Sequence, residues 1–452
     1  MEALEIARWQ FGITTVYHFL FSPLTMGLSL LIAMLQTWYF RTGNIVYRRL
    51  TKYFGKLFLI IFAVGVVTGI VLEFQFGMAW SGYSRFVGDV FGIPLAIEAL
   101  MAFFLESTFI AVWFFGWNRL PKGIHLASIW LVAIGSNLSA LWILIANAWM
   151  QAPVGFVLNH GRAELADFAA IILNERALIS AQHTILAALS TGGLFMLGIS
   201  AWNIIRKNQV EVFAKPAKLA LVFTIVSSIL VAFTGHRHAQ HTAEHQPMKL
   251  AAMEALWETE QPANFSMFAL IDEENQSKRF ELKIPQLLSL IAFNDVNAKV
   301  RGMNELQVYY EEKFGPGNYK PPVVVIYWSF RLMVGFGMLF ILFAFIGLVL
   351  WWKKKLEVSR IYLRLATIIM FLPLVANSLG WIVAEIGRQP WVVYGLLLTR
   401  DGLSPNVTAA SLLTSTIAFT IVYGFLACVA VFLIYKYAKP GVSEHDEVIN
   451  AY

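Results

Sequence analysis

Nine apolar stretches constrain this sequence more than any other feature, because each is 19 or more residues long. They cover residues 13–40, 56–77, 93–117, 125–150, 177–205, 217–235, 323–352, 362–385 and 410–438. A helix needs about 20 apolar residues to cross the hydrocarbon core of a bilayer. Only 14% of the 452 residues are charged, whereas soluble domains average about 25%. Because backbone groups in hydrocarbon must be satisfied internally, the sequence predicts an all-α integral membrane protein with about nine transmembrane helices.

The distribution of basic residues predicts the orientation of these helices. The connections after the first, third, fifth and seventh stretches, together with the C-terminal tail, carry 18 Lys and Arg, whereas the short segments on the other side carry six. Short cytoplasmic loops are enriched in Lys and Arg. We therefore expect the N-terminus outside, the C-terminus in the cytoplasm, and a bacterial plasma membrane as the setting. The net charge of +6 suggests no nucleic-acid partner.

The chain divides into three regions by polarity. Residues 1–235 hold helices one to six, and residues 323–452 hold helices seven to nine and a cytoplasmic tail. Between them, residues 236–322 form the only long polar segment, which the predicted orientation places outside. Within it, amphipathic patterns predict helices near residues 248–258 and 304–314.

Two ionisable residues of the first predicted outer helix suggest a substrate site. Lys249 and Glu254 lie close together at an expected membrane interface. Such a pair could hydrogen-bond a quinol head group and accept its protons, although a solvated amphipathic helix would show the same pattern. Four histidines precede it, at positions 236, 238, 241 and 245. Their spacing matches no tight metal site.

Four potential iron ligands lie near the predicted outer ends of separate helices. His183 and Met333 are candidates for the axial pair of a low-spin haem, because imidazole and thioether form such pairs. His18 and Glu385 are candidates for a second and a third haem. Each residue also has a simpler interpretation: a histidine can hydrogen-bond between membrane helices, a methionine can simply pack, and Glu385 can pair with Arg388.

The same level contains residues suited to the rim of a haem. Arg331 and Arg388 could neutralise propionates, since the guanidinium fork matches carboxylate geometry. Trp381 lies in the stretch that leads to Glu385, and we expect it at the rim as well.

Two acidic residues lie inside the third apolar stretch. Glu98 and Glu106 are eight residues apart, which rotates a helix by about 80° and places both on one wall. Carboxyl groups that step across a span are what a proton relay needs, and Ser139 on the next helix could add a polar step. An ion site of a transporter, or polar contacts between helices, would use the same residues.

At these residues the sequence resembles subunit I of the cytochrome bd-type quinol oxidases, nearly from end to end. The resembling stretches are 8–11 (RWQF), 17–20 (YHFL), 73–77 (EFQFG), 94–98 (PLAIE), 106–108 (EST), 135–142 (GSNLSALW), 249–252 (KLAA) with Glu254, and 387–391 (GRQPW). The short connection after Phe314 resembles the short-loop class of that family. At residues 235–236 the sequence has Gly-His, where the resemblance leads us to expect Gly-Asp.

The resemblance implies a role for each candidate residue. His183 and Met333 match the ligands of a low-spin haem b. His18 and Glu385 match the ligands of a high-spin haem b and a haem d, in an order that the resemblance leaves open. Glu98 and Glu106 match acids near the high-spin haems and their proton path. Lys249 and Glu254 match quinol-site residues. Arg331 and Arg388 match arginines beside the haems.

The resemblance also implies an activity and partners. We expect quinol to be oxidised at the outer face and oxygen to be reduced to water with cytoplasmic protons, which builds a proton motive force without pumping. The expected partners are a second membrane subunit (subunit II) and a small single-span accessory subunit, within a lipid bilayer. Two alternatives make different predictions: a secondary transporter would be colourless, and a haem b reductase without oxygen chemistry would lack a chlorin band.

Overall fold

The computed structural model describes residues 2–443, and the helices of this part of the chain form nine spans long and apolar enough to cross a membrane. The predicted number of spans is therefore confirmed. The helices are α1 (Ala3–Phe19), α2 (Ser22–Thr42), α3 (Ile45–Met78), α4 (Ser81–Ile97), α5 (Phe104–Phe115), α6 (Lys122–Gln151), α7 (Phe168–Ile172), α8 (Glu175–Ile205), α9 (Val210–His245), α10 (Pro247–Met253), α11 (Leu287–Phe293), α12 (Met303–Phe314), α13 (Val323–Trp352), α14 (Arg360–Ile369), α15 (Leu372–Ile386) and α16 (Ala409–Ala438). A π-helical segment, Glu98–Phe103, joins α4 to α5, and short 3-10 turns lie at Leu356–Val358 and Thr399–Gly402.

Three antiparallel hairpins supplement the helices. They are β1 (Phe156–Asn159) with β2 (Arg162–Leu165), β3 (Phe265–Asp272) with β4 (Ser277–Ile284), and β5 (Trp391–Val393) with β6 (Leu397–Leu398). The all-α prediction therefore holds for the spans, but the middle of the outer segment is a hairpin that was not predicted.

The first span is a pair of helices rather than one. α1 ends at Phe19, and α2 begins at Ser22 with Pro23 in its first turn. Proline is tolerated there because a first-turn N–H has no helical acceptor. The break follows Phe19, so His18 is the penultimate residue of α1 and lies just before the start of α2.

The sixth span is longer than predicted. α9 continues ten residues beyond the predicted end at residue 235, because a helix satisfies its own backbone outside hydrocarbon as well as inside. The four histidines therefore lie on α9 and not in a loop. The helix expected at residues 248–258 is also too long, since α10 ends at Met253 and Ala255 has a positive φ of 47°. The helix expected at residues 304–314 is confirmed as α12.

The outer segment packs against the spans and shares a hydrophobic core with them. Met253 and Trp257 of the segment are buried together with Tyr327 of α13 and Val383 of α15. The segment is therefore held directly over the ends of the helices that carry the candidate ligands.

Two glycines allow α2 and α8 to approach each other closely. An added Cβ at Gly192 of α8 would lie 2.5 Å from the backbone carbon of Gly27 on α2. Real Cβ contacts are never so short, so the packing of α2 on α8 requires both glycines.

The last span leaves most of its surface uncovered. Only 11% of the most apolar window of α16 is buried within this chain. A helix that is apolar on all sides needs lipid or another chain around it.

Candidate functional site

Helix α15 carries the candidate ligand Glu385 and packs on α1, which carries His18. Glu385 is the penultimate residue of α15. One turn earlier, Trp381 stacks on Phe19, with ring centroids 5.6 Å apart, and Phe19 follows His18 at the end of α1.

His183 and Met333 lie on opposite members of a four-helix ring. In this ring α8 packs on α9, α9 on α13, α13 on α15, and α15 on α8. His183 belongs to α8 and Met333 to α13, which are the diagonal members. The sulfur of Met333 faces α15, where an added Cβ at Gly380 would lie 3.0 Å away. If His183 and Met333 hold a haem, they would do so from diagonal helices of this ring.

The two candidate imidazoles are each held by a threonine on a neighbouring helix. Nδ1 of His18 lies 2.9 Å from Oγ1 of Thr68 on α3, and Nδ1 of His183 lies 3.2 Å from Oγ1 of Thr234 on α9. Both rings lie inside the bundle yet keep part of their surface accessible. Their remaining nitrogen, Nε2, is therefore suited to bind iron.

The carboxylate of Glu385 has three partners. Asn147 and Gln151 of α6 donate to Oε1 over 2.9 and 3.1 Å, and Arg388 donates to Oε2 over 2.5 Å. The pairing of Glu385 with Arg388, which the sequence suggested as an alternative, is thus present. An ionised carboxylate has about four lone-pair sites, so Glu385 retains the capacity to bind a metal.

Around the candidate ligands, three buried guanidinium groups have an N–H without a hydrogen-bond partner among the described residues. They are Nη1 of Arg331, Nη1 of Arg388 and Nε of Arg176. An unpaired donor on a buried cation is costly, and a carboxylate group of a ligand would satisfy it with charge-assisted hydrogen bonds. The residues present therefore fit the propionates of a haem. Sequence analysis did not select Arg176, because it was counted among the loop charges.

The two acidic residues of the third span face one helix, as predicted. Ser136 of α6 donates to Glu106 over 2.6 Å, and Ser139 of α6 donates to Glu98 over 2.5 Å. Both carboxylates are buried, with 5% and 8% of their surface exposed. Glu98 begins the π-helical segment, 17 residues after the start of α4. It therefore lies in the middle of the helical run Ser81–Phe115.

Helix α6 carries a row of polar side chains that contacts these acids in one part and Glu385 in another. Ser136, Ser139, Asn147 and Gln151 project within about 120° of one another on the helix. Their partners are, in order, Glu106, Glu98 and, for the last two, Glu385. Sequence analysis selected Ser139, and its helical spacing would also have found Ser136, Asn147 and Gln151.

Lys249 lies at the outer end of this row. Its Nζ donates to Oε1 of Gln151 over 2.8 Å and to the carbonyl of Ala384 over 3.0 Å. The residue is 3% exposed, so the alternative of a solvated helix is wrong. Burial lowers the pKa of the Lys249 ammonium, and the positive charges of Arg176 and Arg388 lower it further.

Glu254 faces a different partner. Its carboxylate accepts from Arg331 over 2.5 Å and from the backbone N–H of Ser266 over 3.4 Å, and 2% of the residue is exposed. Burial raises the pKa of Glu254, although Arg331 opposes this effect. Arg331 was predicted beside a haem, and the structure shows that one of its nitrogens is already occupied by the predicted quinol-site carboxylate.

The histidines of α9 are close to the site but form no metal cluster. His241 stacks on His245 with centroids 4.1 Å apart, and His238 meets the edge of His183 at 5.7 Å. Nowhere in residues 2–443 do three His, Cys, Asp or Glu side chains converge on a possible metal position.

The helical bundle encloses two imidazoles, a thioether and buried guanidinium groups with unpaired N–H atoms. This is the donor set of a membrane haem protein. Residues 6–442 match the family model described as cytochrome bd terminal oxidase subunit I. The chain is 50% identical to cytochrome bd ubiquinol oxidase subunit 1 of Bacillus subtilis, over 99% of this chain and 95% of the relative. It is 38% identical to cytochrome bd-II ubiquinol oxidase subunit 1 of Escherichia coli, over 98% and 97%.

A solved structure agrees with these relatives. The bd oxidase of Geobacillus thermodenitrificans contains a chain that superposes with a TM-score of 0.89 at 28% identity, covering 97% of this chain and 99% of the other. The chain belongs to the cytochrome bd terminal oxidase subunit I family. It is accordingly a membrane-bound quinol:oxygen oxidoreductase subunit of a bacterial respiratory complex, and membership implies haem cofactors.

Proposed function

We propose that quinol is oxidised between Lys249 and Glu254 on the outer side of the membrane. The observation that carries this proposal is the path from Lys249 Nζ through Gln151 to Glu385, with steps of 2.8 and 3.1 Å. It joins a buried ammonium outside the spans to a candidate iron ligand inside them. Lys249 donates a hydrogen bond to a quinol oxygen, and Glu254, with its raised pKa, accepts a proton from a quinol hydroxyl.

We assign His183 and Met333 to low-spin haem b, and His18 and Glu385 to high-spin haem b and haem d, one each. The diagonal positions of α8 and α13 and the accessible imidazoles support these assignments. When bound, the haems supply one-electron transfer from quinol and the reduction of oxygen to water.

The rim of the haems is the proposed location of two arginines and one aromatic residue. Arg331 and Arg388 each retain a buried N–H without a partner, which suits a propionate. Trp381 lies one helical turn before Glu385 and stacks on Phe19, the neighbour of His18, so its ring would contribute an apolar part of the same rim.

The proposed proton path to the oxygen site follows α6. Glu106 and Glu98 are spaced along this helix through Ser136 and Ser139, and they carry protons from the cytoplasmic side. Quinol protons leave outside, so charge is separated without pumping. This direction requires the N-terminus outside and the C-terminus in the cytoplasm, as the basic residues indicate.

The proposed partners cover the apolar surface that this chain leaves open. α16 is buried over only 11% of its most apolar window, and subunit II, a small single-span subunit and lipid would surround such faces.

The experiment that tests this function is a reduced-minus-oxidised absorption spectrum of the purified complex. We expect His183→Ala to remove the low-spin haem b signal, because the ring that binds iron is lost. His245→Ala, on the exposed end of α9, serves as a matched control and should keep the signal. A colourless wild-type preparation would support a transporter, absence of a chlorin band would support a haem b reductase, and a normal low-spin spectrum in His183→Ala would refute the ligand assignment.

A further inference from the structure

Thr68 fixes the orientation and tautomer of the His18 ring. The Thr68 hydroxyl donates to carbonyls of its own helix, at 2.9 Å for Val64 and 3.0 Å for Gly65. Its hydrogen is therefore committed, and the oxygen accepts the hydrogen of His18 Nδ1 over 2.9 Å. The proton is therefore on Nδ1, and the lone pair is on Nε2.

The same arrangement recurs at His183 on a different pair of helices. The Thr234 hydroxyl donates to the carbonyls of Leu230 and Val231 over 3.0 and 3.1 Å, and its oxygen lies 3.2 Å from His183 Nδ1. Because the Thr234 hydrogen is committed to these carbonyls, the proton of His183 is again on Nδ1 and the lone pair on Nε2.

A glycine follows each threonine and makes room for the ring. An added Cβ at Gly69 would lie 3.1 Å from Cε1 of His18, and one at Gly235 would lie 3.2 Å from Cε1 of His183. Such contacts are tighter than ordinary packing, so a methyl group would push the ring away. The chain thus uses a Thr-Gly pair twice, once on α3 and once on α9.

We propose that Thr68 and Thr234 are positioning residues that orient the two imidazoles, present Nε2 to iron and lower the reduction potentials of the two haems they serve. An acceptor that hydrogen-bonds Nδ1 fixes the orientation of the ring. It also raises the basicity of Nε2, the nitrogen that would bind iron. A more basic ligand stabilises the ferric form, so the hydrogen bond lowers the potential. This inference rests on the proposed ligand roles of His18 and His183.

The test measures the midpoint potential of each haem by spectroelectrochemistry in the purified complex. Valine has the shape of threonine without the hydroxyl, whereas serine keeps the hydroxyl. We expect Thr234→Val to raise the potential of the His183-bound haem alone, and Thr234→Ser to restore it. Thr68→Val should likewise raise the potential of the His18-bound haem, and Thr68→Ser should restore it. A tenfold loss of preference for the ferric form corresponds to about 59 mV in a one-electron couple.

Control variants separate this effect from general damage to the helices. The Thr51 hydroxyl on α3 donates to the Tyr47 carbonyl of its own helix over 2.7 Å, so Thr51→Val should leave all potentials unchanged. Gly69→Ala should lower haem occupancy at the His18 site, whereas Gly77→Ala, whose added Cβ meets nothing within 4 Å, should not.

Each result of these measurements either supports or overturns the positioning role of Thr68 and Thr234. Haem loss in a valine variant that serine prevents also supports the proposal. Equal haem loss in the valine and serine variants, or unchanged potentials at full haem content, overturns it. A normal low-spin spectrum in His183→Ala would instead refute the ligand role itself, so the two failures are distinguishable.

Discussion

Gln151 offers the most direct test of the connection between the quinol site and the spans. Replacing it with leucine keeps a similar volume but removes two hydrogen bonds that its amide donates and two that it accepts. The Lys249 ammonium then keeps only the Ala384 carbonyl among these partners, at 3.0 Å. A hydrogen bond to a charged group contributes about 1.5–3 kcal/mol. The protonated form of Lys249 should lose about this much stability.

The loss of this hydrogen bond should change the pH dependence of quinol oxidation. Burial already lowers the pKa of Lys249, and the substitution lowers it further, so the ammonium is lost at a lower pH. Above the wild-type pKa of Lys249, where only the residual ammonium supports the reaction, kcat/KM for quinol should fall by about 10- to 150-fold relative to the wild type at the same pH, since about 1.4 kcal/mol corresponds to a factor of ten. The alkaline limb of the pH profile should move to lower pH.

The assay is oxygen consumption by the purified complex as a function of quinol concentration and pH. Gln307→Leu is the matched control, because its amide donates to Glu311 and Gly317 of the outer segment, away from Lys249. A Gln151→Leu complex with normal haem content, kcat/KM within twofold of wild type and an unmoved alkaline limb would refute the proposed role of this path.

Two further predictions concern the proton path and the helix packing. Glu106→Gln should slow oxygen reduction at least tenfold, because an amide cannot carry the proton of this 5% exposed carboxyl. Turnover at the wild-type rate, with unchanged haem spectra, would show that Glu106 is not part of the proton path. Gly192→Ala should lower the thermal stability of the complex by about 1–3 kcal/mol or prevent assembly, as expected for overpacking, because the new Cβ would lie 2.5 Å from the Gly27 backbone. Gly77→Ala, with open space at its Cβ, is the control for a thermal-melt measurement, and equal melting of the two variants would contradict the packing argument.

The number of spans could be predicted because hydrocarbon offers no hydrogen-bond partners, so a spanning helix must be apolar along its whole length. Helix ends outside the membrane carry no such constraint. Polar residues therefore continue α9 to His245, while α10 stops at Met253 although its pattern favoured a longer helix. The hairpin β3–β4 was missed for the same reason, because segment 236–322 contains no long apolar run.

The chemistry of the site was partly evident in single residues. An ionisable group within an apolar stretch is costly and therefore stands out, which led to Glu98, Glu106 and Glu385. The uncharged residues that hold such groups carry no comparable signal. Thr68 and Thr234 look like ordinary polar residues of membrane helices until their contacts with the histidines are known.

The sequence by itself determined the membrane class, the nine spans and the identity of the ionisable residues, since these depend on local composition and on the energy of placing each residue in lipid. Only the tertiary structure decided which groups meet. Arg331 contacts Glu254 across 77 residues, and Gln151 contacts Glu385 across 234. These pairs arise from the packing of distant helices, and packing depends on the shapes of all the faces together.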